Sequence, residues 1–131
     1  MTTKFIKFLP VFFWMGLIYF LSSRSDLPHS STFFLEFIFK KSGHIFVYFV
    51  LCSLWFFALG VNQWENSFLY SLIFAFTDEI HQLFVPLRTG VLTDILFDVL
   101  GITIALIFFN YFVIPKWNKN SSPQTPKRLK I

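Results

Sequence analysis

Four continuous apolar stretches constrain this chain more than any other feature. They cover about residues 8–21, 41–59, 67–84 and 92–114, near the roughly 20 helical residues that cross a hydrocarbon core of about 30 Å. None shows the period-two alternation of a barrel strand, so the expectation is an all-α membrane protein, a four-transmembrane-helix bundle of up-down topology. Composition agrees: 55% of the 131 residues are hydrophobic, 14% are charged and 21 are Phe. So many large apolar side chains exceed what a soluble globule of this size can cover. Cys52 is the single cysteine, which leaves no intrachain disulfide to hold the fold.

A signal peptide is the rival reading of the first stretch, because Lys4 and Lys7 precede an apolar run that ends in Ser22 and Ser23. The lack of an A-x-A-like cleavage pattern and the three further spans favour a retained helix. Pro10 falls in its opening turn, where a missing N–H is harmless. Residues 22–39 read as an extended first loop whose second half, with Phe33, Phe34, Phe37 and Ile38 at helical spacing, would lie on the membrane surface. Residues 60–66 form a short connection with Trp64 suited to the headgroup zone, and residues 86–90 a turn. The domain reading is therefore a transmembrane unit over 1–115 and a disordered basic tail over 116–131, with five Lys or Arg and no acid.

Cytoplasmic loops hold the excess of Lys and Arg. Four spans place both termini and the middle loop on one side, with Lys4, Lys7, Lys116, Lys119, Lys127, Arg128 and Lys130; Arg24, Lys40, Lys41 and Arg88 fall on the other. Both termini are thus expected in the cytoplasm. The lipid bilayer is the first partner, and the tail would be drawn to anionic lipid at about 1 kcal/mol per basic residue. No nucleic-acid partner is expected.

Charged residues inside a span cost about 2.5 to 3.5 kcal/mol each on the insertion scale, so those present need partners or a task. Lys41, His44 and Tyr48 share a face at the start of the second span; Asp78, His81 and Gln82 share one near the end of the third, with Glu79 beside them. Asp94 and Asp98 are one turn apart at the start of the fourth, followed by Gly101. Up-down topology brings these together with Arg88 at one end of the bundle, the outer end on the charge bias. Each residue has a plainer reading: Lys41 as a snorkelling lysine, Asp94 as a first-turn acid favoured by the helix dipole, the histidines as satisfied bundle residues. Together they predict a polar pocket.

Asp78, Glu79, Asp94 and Asp98 bring four negative charges against two from Lys41 and Arg88. Protons, the histidines, Lys40, Arg24 or a bound cation must supply the rest. Asp78, Asp94 and Asp98 are the candidate ligands for a divalent cation, and Glu79 or His81 the candidate general base. No H-E-x-x-H, Gly-rich phosphate loop or G-x-S-x-G is present, and no serine or cysteine is assignable as a His-activated nucleophile.

The series Lys41-x-x-His44-x-x-x-Tyr48, Thr77-Asp78-Glu79-x-His81-Gln82-x-Phe84-x-Pro86-x-Arg88 and Asp94-x-x-x-Asp98-x-x-Gly101 resembles the VanZ-like family of bacterial membrane proteins, as does the Ser22-Ser23 close of the first helix. Asp98 stands where the family often has Asn, and Ala105 where it often has a second Gly, which weakens the case for close helix packing there. The resemblance implies a multi-pass protein of the bacterial cytoplasmic membrane, in a family whose founding member is associated with resistance to the lipoglycopeptide teicoplanin. It supplies no chemistry. Three functions stay open: binding an envelope component or limiting access of a lipoglycopeptide, a metal-dependent intramembrane enzyme acting on a lipid-linked headgroup, and a structural or assembly role without a pocket ligand.

Overall fold

The structure, a computed structural model, describes residues 5–24, 32–86 and 92–116. It is helical, with no strand among the described residues. Helix α1 spans Leu9–Ser22, α2 Phe33–Leu59, α3 Trp64–Leu83 and α4 Leu92–Phe108; a 3₁₀ turn, Val61–Gln63, leads into α3, and a π turn, Phe109–Val113, continues α4. Two helical stretches, Phe34–Leu59 and Thr93–Lys116, are long and apolar enough to cross a membrane.

Local chemistry accounts for the helix ends. Pro10 sits in the first turn of α1, where it disturbs no intrahelical bond. Gly60 ends α2 at φ +99°, a left-handed backbone state that glycine adopts without a Cβ clash, and its N–H closes on the Phe56 carbonyl at 2.9 Å. Helix α2 begins at Phe33, well before the expected residue 41. The segment expected to lie on the membrane surface is instead the first two turns of the same helix, because residues 33–42 contain neither Pro nor Gly and nothing there breaks the ladder. The extended first loop is shorter by that length. Helix α3 likewise starts three residues early, at Trp64. The expected loop over residues 25–31, Arg88 in its turn, and the tail beyond residue 116 lie outside the described residues.

Burial departs from that of a water-soluble protein, although an apolar cluster that includes Val11, Leu51, Phe56 and Ile102 still forms part of the core. Phe13, Phe39, Phe84 and Leu96 are among many large apolar side chains that face outward, Phe84 at 80% exposure, while Ser22, Ser67, Ser71, Asp78, Glu79, Gln82, Asp94 and Asp98 are buried. A largely apolar exterior with polar and charged side chains buried inside is an arrangement that lipid favours and water penalises.

Helix α2 is the hub and packs most extensively on α4. Gly101 of α4 lies so close to α2 that a Cβ there would run into the Ile45 carbonyl oxygen. Ala105, one turn on, is fully buried, so the Gly-to-Ala departure from the family pattern has not opened the contact. Further along, Phe56 and Phe109 stack with centroids 4.4 Å apart and planes 8° from parallel. The Trp14 indole N–H donates to the Val47 carbonyl at 2.9 Å and ties α1 to α2.

Candidate functional site

Two polar groups meet where α1 and α3 end and α2 and α4 begin. The first joins α2 to α4. Lys41 and His44, one turn apart on α2, face Asp94 and Asp98, one turn apart on α4. The Lys41 ammonium bonds Asp94 Oδ1, and His44 Nδ1 lies 2.8 Å from Asp98 Oδ1. Lys40 Nζ and His44 Nε2 each stand 3.6 Å from Asp94 Oδ2. Both acids are almost fully buried, whereas the Lys40 side chain is 40% exposed. The rings of Phe37 and Phe97 lie 5.4 and 5.1 Å from the Lys41 ammonium, adding cation–π attraction and an apolar cover to the pair.

The second group centres on Asp78. Ser22 Oγ donates to Asp78 Oδ2 at 2.9 Å, Gln82 Nε2 at 3.1 Å, and the Tyr48 hydroxyl at 3.5 Å; Gln82 Nε2 also reaches Ser22 Oγ at 3.3 Å. One carboxylate oxygen thus receives donors from α1, α2 and α3. Among the described residues the other, Oδ1, is buried with no hydrogen-bond partner, and so is Gln82 Oε1. Asp78 is 4% exposed and Gln82 1%. Buried acceptors left in this state are expensive and uncommon.

His81, expected on the inner face with Asp78, turns to the side of α1. Its ring stacks on Tyr19 with centroids 4.1 Å apart, and Nε2 is 2.9 Å from Ser23 Oγ. Helical spacing put the two residues on one broad face, but three residues still leave their directions about 60° apart, enough to turn His81 toward Tyr19. Glu79 is buried at 4% exposure, and Arg88 lies outside the described residues. The structure therefore brings Lys41, His44, Asp94 and Asp98 together, and Tyr48, Asp78 and Gln82 beside them. It does not gather Asp78, Asp94 and Asp98 into one ligand set: among the described residues no group of three or more His, Cys, Asp or Glu is placed to hold a metal ion. Asp78 is taken by hydroxyl and amide donors, the other two by cationic side chains.

The sequence did not mark Ser22, Ser23 or Tyr19 as contacts, whereas Lys40, named there as a possible counter-charge, does stand near Asp94. The signal for the two serines was the Ser-Ser close of the first helix, whose side chains reach α3. Ser23 lies beside His81, a contact that the sequence left unassigned.

No curated protein and no solved structure matches this chain. The sequence pattern of the VanZ/LLP1 family matches residues 3–114. Family and apolar helices alike indicate a membrane protein, and with most of its length matched the chain belongs to the VanZ/LLP1 family.

Proposed function

We propose that the chain is a four-span, up-down protein of the bacterial cytoplasmic membrane, with both termini in the cytoplasm, that binds a hydrogen-bond-donating group of an envelope component at its outer end and thereby lowers susceptibility to teicoplanin. The orphaned acceptors Asp78 Oδ1 and Gln82 Oε1 carry this reading. An amine or hydroxyl from a headgroup would meet both oxygens and remove the penalty of leaving them unmade. Lys41 and Asp98 are engaged by Asp94 and His44, and their part is to hold α2 to α4. Charge bias supports the orientation, with Lys4, Lys7 and the basic tail on the inner side.

Asp78→Asn tests the reading, because it keeps shape while replacing the acceptor pair with an amide that donates on one side. With equal membrane levels in a susceptible host, teicoplanin protection by wild type should be lost in the variant. Equal protection by both proteins would overturn the proposal.

A further inference from the structure

The two serines that close α1 reach two different residues of α3. Ser22 Oγ bonds Asp78, and Ser23 Oγ meets His81 Nε2 at 2.9 Å. The Ser23 hydroxyl also contacts the Tyr19 carbonyl at 2.8 Å. One hydroxyl proton serves either acceptor, so the His81 contact is open to a transfer from oxygen to nitrogen. The Tyr19 ring fixes the imidazole plane from one side, and this aims Nε2 at the hydroxyl. Ser23 is exposed at the end of the helix, within reach of a molecule at headgroup depth, and Arg24 follows it with its guanidinium over the Phe20 ring at 5.6 Å.

We propose that Ser23 and His81 form a nucleophile and base pair acting on carboxylic esters at the membrane surface. A serine hydroxyl is a weak nucleophile until a base within hydrogen-bond reach accepts its proton, and this pair meets that geometric condition. Ser23 Oγ forms a bond to the ester carbonyl carbon as its proton passes to His81 Nε2. The ester C–O bond breaks, and the alcohol leaves with the proton from His81. Water, deprotonated by the same nitrogen, then attacks the acyl-serine, releasing a carboxylic acid and restoring the hydroxyl. The activity is additional to headgroup binding at Asp78 and does not depend on it.

A fluorophosphonate probe on detergent-purified full-length protein tests the pair, with adducts located by peptide mass spectrometry. Wild type should carry one phosphonyl group on Ser23, and Ser23→Ala none. His81→Gln should label about 10²-fold more slowly, the lower range for loss of a general base. Ser53→Ala, whose hydroxyl only bonds the Phe49 carbonyl in its own helix, should label as wild type. Ser23→Cys guards against a misfolded alanine variant: its alkylation by iodoacetamide should slow to a similar degree when His81→Gln is added. Asp78→Asn should lose teicoplanin protection yet keep probe labelling, which separates failure of this proposal from failure of the binding reading. An unlabelled Ser23 in wild type, or labelling at the wild-type rate in His81→Gln, overturns it.

Discussion

The carbonyl oxygen of Ile45 occupies the space that a side chain at position 101 would need. Gly101 therefore sets how closely α4 lies against α2, and with it the reach between Lys41 and Asp94 and between His44 and Asp98. Gly101→Ala should push the helices apart at the point where the backbone cannot yield. A loss of about 1–3 kcal/mol is expected for overpacking of this kind, read as a lower unfolding midpoint in detergent. Gly43→Ala, with open space around its would-be Cβ, should leave the midpoint unchanged or raise it.

Lys41 and Asp94 give a test of how the buried charges are matched. Lys41→Met leaves Asp94 with Lys40 and His44, each 3.6 Å away, so the loss should fall at or below the lower end of the roughly 3–5 kcal/mol seen when one partner of a buried pair is removed. Adding Asp94→Leu should restore most of the stability, since neither charge is then stranded. Heat-resistant folded fraction of the single and double variants checks both points.

Two hydroxyls on the same carboxylate oxygen should differ in worth. Ser22 Oγ stands 2.9 Å from Asp78 Oδ2 and the Tyr48 hydroxyl 3.5 Å, the latter at the outer limit for a hydrogen bond. Ser22→Ala should cost about 0.5–1.5 kcal/mol or somewhat more for a charged acceptor, and Tyr48→Phe less than Ser22→Ala. Chemical unfolding of both variants in one detergent gives the order, and the reverse order would contradict the geometry.

Labelling of single thiols from either side tests the orientation. Cys52 is buried and should resist a membrane-impermeant maleimide in intact and permeabilised cells. Thr32→Cys, exposed before α2, should react in intact cells. Lys116→Cys, exposed at the far end of α4, should react only after permeabilisation. The opposite pattern would place the polar cluster on the cytoplasmic side.

Which residues share a face of one helix was legible from spacing alone. Lys41 and His44 share a face, as do Asp94 and Asp98, and each costs too much in lipid to be left without a partner. Spacing along one helix says nothing about rotation against another, however, so the division into an ion-paired group and an Asp78 group was not legible. Nor was His81 turning to Tyr19 and Ser23, since the roughly 60° between its direction and that of Asp78 is within what spacing along one helix leaves as a shared face. The early start of α2 was hidden by Lys40 and Lys41, which read as the edge of a span although nothing at Phe33 to Ser42 breaks a helix. Ser22 and Ser23 carried only a resemblance as their signal, because short hydroxyl side chains at a helix end are common for local reasons.

The cations of the first polar group all come from α2 and its two anions from α4, with Lys41 and Asp94 53 positions apart in sequence. During synthesis, α2 emerges long before the acids that neutralise it exist. It cannot settle into lipid as a finished helix at that stage without bearing two or three unmatched charges. In a bilayer, the cations of α2 would therefore meet these acids only once α4 had been made, and the two helices would be nearly neutral only as a pair.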